Sequence, residues 1–194
     1  MDVRGGWGEP PGAGRRSVRM KLATLAGRAA SLTALTSAAA TASAADRPTG
    51  VVETCAHQSG AGFPHAFTSR DNLVVGPLSM IGAGRFTPAD VVWEFDGNKF
   101  PLLVAAGHTV TIELTRATHR FASLAYGSHS RTGHRVVTFR SCSRHDAASR
   151  ADGKPVTFWS GFVQATRPGC VPLRIWVDRE RTPRRAHIEL GRRC

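Results

Sequence analysis

Eight histidines and one Ser-x-His-Asp string are the residues of this chain with the means for acid–base chemistry. His145 follows Cys142-Ser143-Arg144 and precedes Asp146, so a hydroxyl, an imidazole and a carboxylate are sequence neighbours. His129 and His134 sit in the polar stretch from Gly127 to His134, which reads as a loop. A secreted hydrolase built on His129, His134 or His145 needs two of these groups, or one with an acid and a nucleophile, brought together in space. Proximity in sequence does not supply that, and no Gly-x-Ser-x-Gly elbow is present. Glu94, Asp96 and Glu113 fall in or beside strands where carboxylates normally face water, which argues against paired-carboxylate glycoside chemistry. Gly82-Ala83-Gly84-Arg85 opens no helix and so makes no phosphate loop. The reading is therefore non-enzymatic, with no catalytic residue and no cofactor assigned.

Arginine offers the second kind of chemistry. The chain carries 26 Lys and Arg against 14 Asp and Glu, a formal charge of +12. Residues 1–44 hold six basic and two acidic side chains, leaving 26 − 6 = 20 and 14 − 2 = 12 in residues 45–194, or +8. Within that part, 45–115 has four basic and seven acidic residues (−3), whereas 116–194 has sixteen and five (+11). The densest cluster is Arg179, Arg181, Arg184 and Arg185. Guanidinium groups suit carboxylate and phosphate, so an anionic partner follows from this cluster. Arg174 and Trp176, lesser candidates for the same anionic partner, share the outward face of the strand Val171–Val177, where the indole reads either as a ligand platform or as a ring stacked on Arg174.

Cysteine usage places the protein. Cys55, Cys142, Cys170 and Cys194 form no Cys-x-x-Cys and no zinc-spaced cluster, so no metal site is expected and two disulfides are. A basic start at Lys21, an Ala/Leu/Ser/Thr run and a small-x-small end at Ala42-Ser43-Ala44 describe a cleaved secretory signal. The expected organisation is a disordered N-terminus plus signal peptide over 1–44 and a single secreted domain over 45–194. No apolar run reaches the eighteen or so residues of a membrane span, and no nucleic-acid motif is present.

The elements that position these groups are short strands. Apolar residues alternate in runs at Leu73–Ile81, Phe100–Ala105, Arg120–Tyr126, Arg135–Ser141, Val156–Val163, Val171–Val177 and Ala186–Leu190. The alternation of Val91, Trp93 and Phe95 before Asp96-Gly97-Asn98 reads as another strand and turn. In Phe158-Trp159-Ser160-Gly161-Phe162, Phe158 and Phe162 are expected in the core and Trp159 is left as the ring facing a ligand. About eight short strands at this spacing predict an all-β fold, an antiparallel β-sandwich of Ig-like or jelly-roll type. Val171, Leu173, Ile175 and Val177 form an inward row that Ile188 and Leu190 answer across a turn near Arg181–Pro183. That hairpin brings Cys170 and Cys194 to one end, favouring Cys170–Cys194 with Cys55–Cys142; the main rival is Cys142–Cys170.

Two resemblances add little. Thr54-Cys55-Ala56-His57 is similar to the histidine segment of trypsin-like proteases, but no Gly-Asp-Ser-Gly nucleophile motif accompanies it. The pattern Thr157-Phe158-Trp159-Ser160-Gly161-Phe162, Cys170-Val171-Pro172-Leu173 and Gly191-Arg192-Arg193-Cys194 resembles small exported four-cysteine all-β proteins of high-GC bacteria. That resemblance implies an exported four-cysteine domain and carries no activity. The expectation is thus a secreted or envelope-associated binding protein whose partner is an anionic cell-envelope polymer or polysaccharide. The alternatives are the hydrolase above and a protein-interaction module docking through a free strand edge.

Overall fold

Alternate side chains of a pleated strand leave opposite faces, so runs with apolar period two form sheets with one buried side. The structure, a computed structural model, describes residues 47–194. The first elements are β1 (Val51–Glu53), β2 (Gly62–Phe63), β3 (Leu73–Val75), β4 (Leu78–Met80), α1 (Ala89–Phe95) and β5 (Gly97–Lys99). There follow β6 (Leu102–Ala105), β7 (Thr109–Leu114), α2 (Arg116–His119), β8 (Ala122–Tyr126) and β9 (Val136–Arg140). The chain ends with β10 (Ser149–Ala151), β11 (Lys154–Trp159), β12 (Gly161–Ala165), β13 (Gly169–Val177) and β14 (Arg184–Leu190). Strand accounts for 45% and helix for 11%, so the domain is mostly β.

Three sheets result, ordered β1-β9-β7-β13-β14, β2-β10-β11-β6-β4-β3 and β5-β12-β8. In the first, Leu173 lies opposite both Ala186 and Leu114, and Ile175 opposite Ile112. Val110 and Ile112 lie opposite Phe139 and Val137. Val171, Leu173, Ile175 and Ile188 are all buried, as the inward row requires. One apolar core draws on all three sheets, with Leu78, Met80 and Leu102 meeting Ile112, Ile175, Leu124 and Val163. Cys55 is bonded to Cys142 and Cys170 to Cys194, the two pairs that the hairpin argument favours.

Three expectations are corrected. The described residues form fourteen short strands in three sheets where about eight antiparallel strands were expected, and β1–β9 and β2–β10 pair in parallel. Residues 89–95 form α1 rather than a strand, because Pro88 cannot continue a ladder and instead leads into a helix whose first turn carries Asp90. The helix turns Val92 inward and leaves Trp93 and Phe95 61% and 59% exposed. Around Ser160 the chain leaves one sheet for another, which resets the alternation. Trp159 is therefore fully buried, its Nε1 donating to the Thr54 carbonyl at 3.2 Å, while Phe162 is 36% exposed. Trp159 faces no ligand. The export segment expected at 1–44 lies outside the described residues, and no described helix is long and apolar enough to cross a membrane.

Candidate functional site

β1 lies parallel to β9 at one edge of the first sheet, with Glu53 opposite Phe139 on the inward face. The glutamate is fully buried. A carboxylate in that position needs partners, and one distant segment, Ser128 and His129, supplies them. Oε1 accepts from His129 Nδ1 at 2.6 Å, from the His129 backbone N–H at 3.2 Å and from the Ser128 hydroxyl at 3.0 Å. Oε2 lies 3.2 Å from His57 Nδ1 but makes no aligned hydrogen bond among the described residues. Gly127 is required beside it: its φ is +54°, and a Cβ there would stand 2.3 Å from Oε2. Burial pushes the Glu53 carboxyl up, and the hydrogen bonds from His129 and Ser128 more than reverse this, holding it below its ordinary value.

His134 completes the cluster. Its ring stands perpendicular to that of His129, centroids 5.3 Å apart, with Nε2 3.1 Å from the Thr132 hydroxyl. Burial, with His129 and His119 nearby, holds this imidazole below its usual value against the opposing pull of Glu53. Glu53 thus fixes the His129 imidazole by Nδ1, which leaves Nε2 as the basic atom, and His129 is one-third exposed. A general base is built this way. The nearest hydroxyl does not complete a triad, because Ser128 Oγ sits at the Nδ1 side, 3.1 Å away and bonded to Glu53. His145 is elsewhere: its N–H contacts Ser143 Oγ, which donates to Asp146 in an exposed turn. Of the three loop histidines, His129 and His134 meet and His145 does not join them. Sequence reading missed Glu53 altogether, since a glutamate ending Val51-Val52-Glu53 shows nothing of partners more than seventy residues on.

The arginine cluster spans the turn between β13 and β14 and the first two residues of β14. Arg179, Arg181, Arg184 and Arg185 are all exposed. Arg184 reaches both oxygens of Glu180. Asp178, at φ +47°, is engaged elsewhere, accepting from the Thr109 N–H and meeting His108 Nδ1 at 2.8 Å. Arg179, Arg181 and Arg185 have no carboxylate partner among the described residues. Arg174 and Trp176 differ from them. Arg174 lies 3.4 Å from Glu113 with its guanidinium 5.3 Å from the Trp176 ring centroid, and Trp176 is only 1% exposed. Thr111 beside it is equally buried, so the indole is stacked and covered rather than open as a platform.

Two concavities flank these groups. A groove of about 390 Å³ lies between β3 and β14 with Arg85, Arg185 and His187 among its walls, and Arg85 is paired with Asp71. A cleft of about 410 Å³ opens at the other end of β13, between α2, Asp96 and the β8–β12 pair. His187, Glu189 and Cys194 have ligand-type atoms within 4.8 Å of one another, but the Cys194 sulfur is committed to Cys170 and offers no thiolate. No protein-family model, no curated protein and no solved structure matches the chain.

Proposed function

We propose that this is an exported, non-catalytic β-sandwich that holds an anionic envelope polymer on the β13–β14 turn. The observation that carries the reading is the turn with the start of β14: four exposed arginines within seven positions, Arg179 to Arg185, share one paired carboxylate, Glu180. Exposed guanidinium groups with no partner are free to bind carboxylate or phosphate repeats bidentately. Two disulfides fit an oxidising, extracytoplasmic compartment, and the common core of the five- and six-stranded sheets fits sandwich packing. The test is binding of the exported protein to polygalacturonate and to polyphosphate at rising salt. Affinity is expected to fall with salt, and replacing Arg179, Arg181, Arg184 and Arg185 by Gln is expected to cost roughly tenfold or more. Unchanged binding by the fourfold variant would refute the reading.

A second reading, a secreted hydrolase, is favoured by the meeting of His129 and His134 beside Glu53. It requires hydrolysis of a small ester or glycoside that disappears in His129→Asn, whose amide nitrogen can keep a donor to Glu53 but supplies no base, while the protein stays folded. Activity that survives this change belongs to a contaminant or another site.

A further inference from the structure

The cleft of about 410 Å³ lies within the size range of small-ligand sites, and its polar groups come from four separate elements. Asp96 stands at the end of α1 with φ +51° and ψ +40°, an uncommon conformation for a residue other than glycine. Its backbone is held at both ends, the N–H bonded to the Val92 carbonyl and the carbonyl accepting from the Ala165 N–H at 2.8 Å. The carboxylate has no hydrogen bond or ion pair among the described residues. Arg120, just after α2, lines the same cleft and its guanidinium is equally without a partner there. Two opposite unpaired charges thus border one space without meeting each other.

Two of the groups between them are held by hydrogen bonds. His119 directs Nδ1 at the Ala122 carbonyl, 3.3 Å away, which leaves Nε2 uncommitted. Gln164 accepts the Ser123 hydroxyl on Oε1 at 3.2 Å, which fixes the amide and leaves its NH₂ donors. Gly133 forms the wall over Ser123, where a Cβ would lie 1.9 Å from Oγ. A simple anion satisfies Arg120 and leaves Asp96 unused, and a simple cation does the reverse. An apolar ligand satisfies neither. A molecule with vicinal hydroxyls to donate to Asp96 and an anionic group to accept from Arg120 uses both, and amide and imidazole groups serve its remaining hydroxyls.

We propose that this cleft binds one acidic sugar unit, a pyranose bearing a carboxylate, through Asp96, His119, Arg120 and Gln164. The site goes beyond the arginine turn and shares no residue with it. Gly169, which opens β13 beside the cleft, and Val177, which ends it at the turn, are eight residues apart in an extended strand. A rise of about 3.3 Å per residue then separates the two places by more than 20 Å.

The experiment titrates the exported protein with glucuronate, digalacturonate, glucose and glycine, followed by calorimetry and by amide chemical shifts. Both acidic sugars are expected to bind with shifts centred on Ser123, Gly133 and Gln164, and glucose to bind roughly tenfold more weakly. Arg120→Gln should remove the preference for the acidic sugars over glucose. Asp96→Asn, which tolerates the same backbone conformation, should weaken acidic and neutral sugars alike by roughly tenfold. Glutamine at Arg179 and Arg181 should leave these titrations unchanged, which separates this site from the polymer reading. The proposal is overturned by no uronate binding at roughly ten millimolar, by equal binding of glucose and glucuronate, by binding of glycine alone, or by shifts confined to the β13–β14 turn.

Discussion

The edge around Glu53 and the hairpin of β13 and β14 are built from the same parts. Each has a carboxylate, nitrogen side chains and a disulfide, yet the parts are arranged on different scales. Glu53 is fully buried and gathers His129 from 76 residues along the chain, and the adjoining Cys55–Cys142 bond spans 87. Glu180 is only partly covered and takes Arg184 at i,i+4, and Cys170–Cys194 spans 24. Burial decides how much a partner matters, because a charge in water loses little when its partner goes and a buried one has no other solvent. Range decides how much a crosslink restricts the unfolded chain. The first region thus serves mainly the fold, while the second has charges free for other work.

The largest expected effect lies in the disulfides. Chain-entropy arguments give about 4–5 kcal/mol for a loop the size of Cys55–Cys142 and about 3–4 kcal/mol for one the size of Cys170–Cys194. Paired Cys→Ala variants should follow that order in urea unfolding; the reverse order would show that the two regions are not distinguished by range. The next effect is Glu53→Gln, which keeps the shape but removes the charge that His129, Ser128 and the His129 N–H address. A cost of about 2–3 kcal/mol is expected, from hydrogen bonds to a charged group left unmatched. Glu180→Gln, by contrast, should leave the unfolding midpoint where it was.

Acid should expose the same contrast. Because the folded Glu53 carboxyl lies below its ordinary value of 4.5, the unfolded state binds the proton more readily. Its contribution is therefore complete above 4.5 and is lost as pH falls through the lower folded value. The difference in unfolding free energy between the protein and Glu53→Gln should stay level above about pH 5.5 and shrink below 4.5. A difference that grows in acid would mean that burial outweighs the hydrogen bonds. Asp71 and Asp178 are also held low by their partners and are common to both proteins, so they cancel in the comparison.

How far each region could be read in advance follows from the same difference of scale. Val171, Leu173, Ile175 and Val177 face Ala186 and Ile188 across a local turn, so alternation alone implied the hairpin, the Cys170–Cys194 reach and the exposed arginines. Glu53 has no local correlate, because what makes it matter arrives from Ser128 and His129. Alternation failed where the backbone changed its path. Pro88 turned a period-two string into α1, and the passage from β11 to β12 at Ser160 exchanged the expected places of Trp159 and Phe162. The cleft escaped notice for a related reason. Asp96 reads as turn punctuation, Arg120 as part of a strand, and only the pairing of β12 with β5 and β8 sets them around one space.

The smallest effect is the most discriminating for the hairpin. Glu180 occupies Arg184 with both oxygens and so withholds one of the four arginines from any anion. If the turn binds polyanions, Glu180→Gln removes a competing carboxylate and frees that guanidinium, and affinity for polygalacturonate should rise by roughly two- to fivefold at low salt. The gain should fade at high salt, since exposed charges are screened within a Debye length. Because the pair is only partly covered, stability should not move, so the change in binding cannot be a by-product of folding. A loss of affinity would instead mean that Glu180 holds Arg184 in its working position, and the hairpin would then resemble the Glu53 region in using a carboxylate to orient a nitrogen side chain.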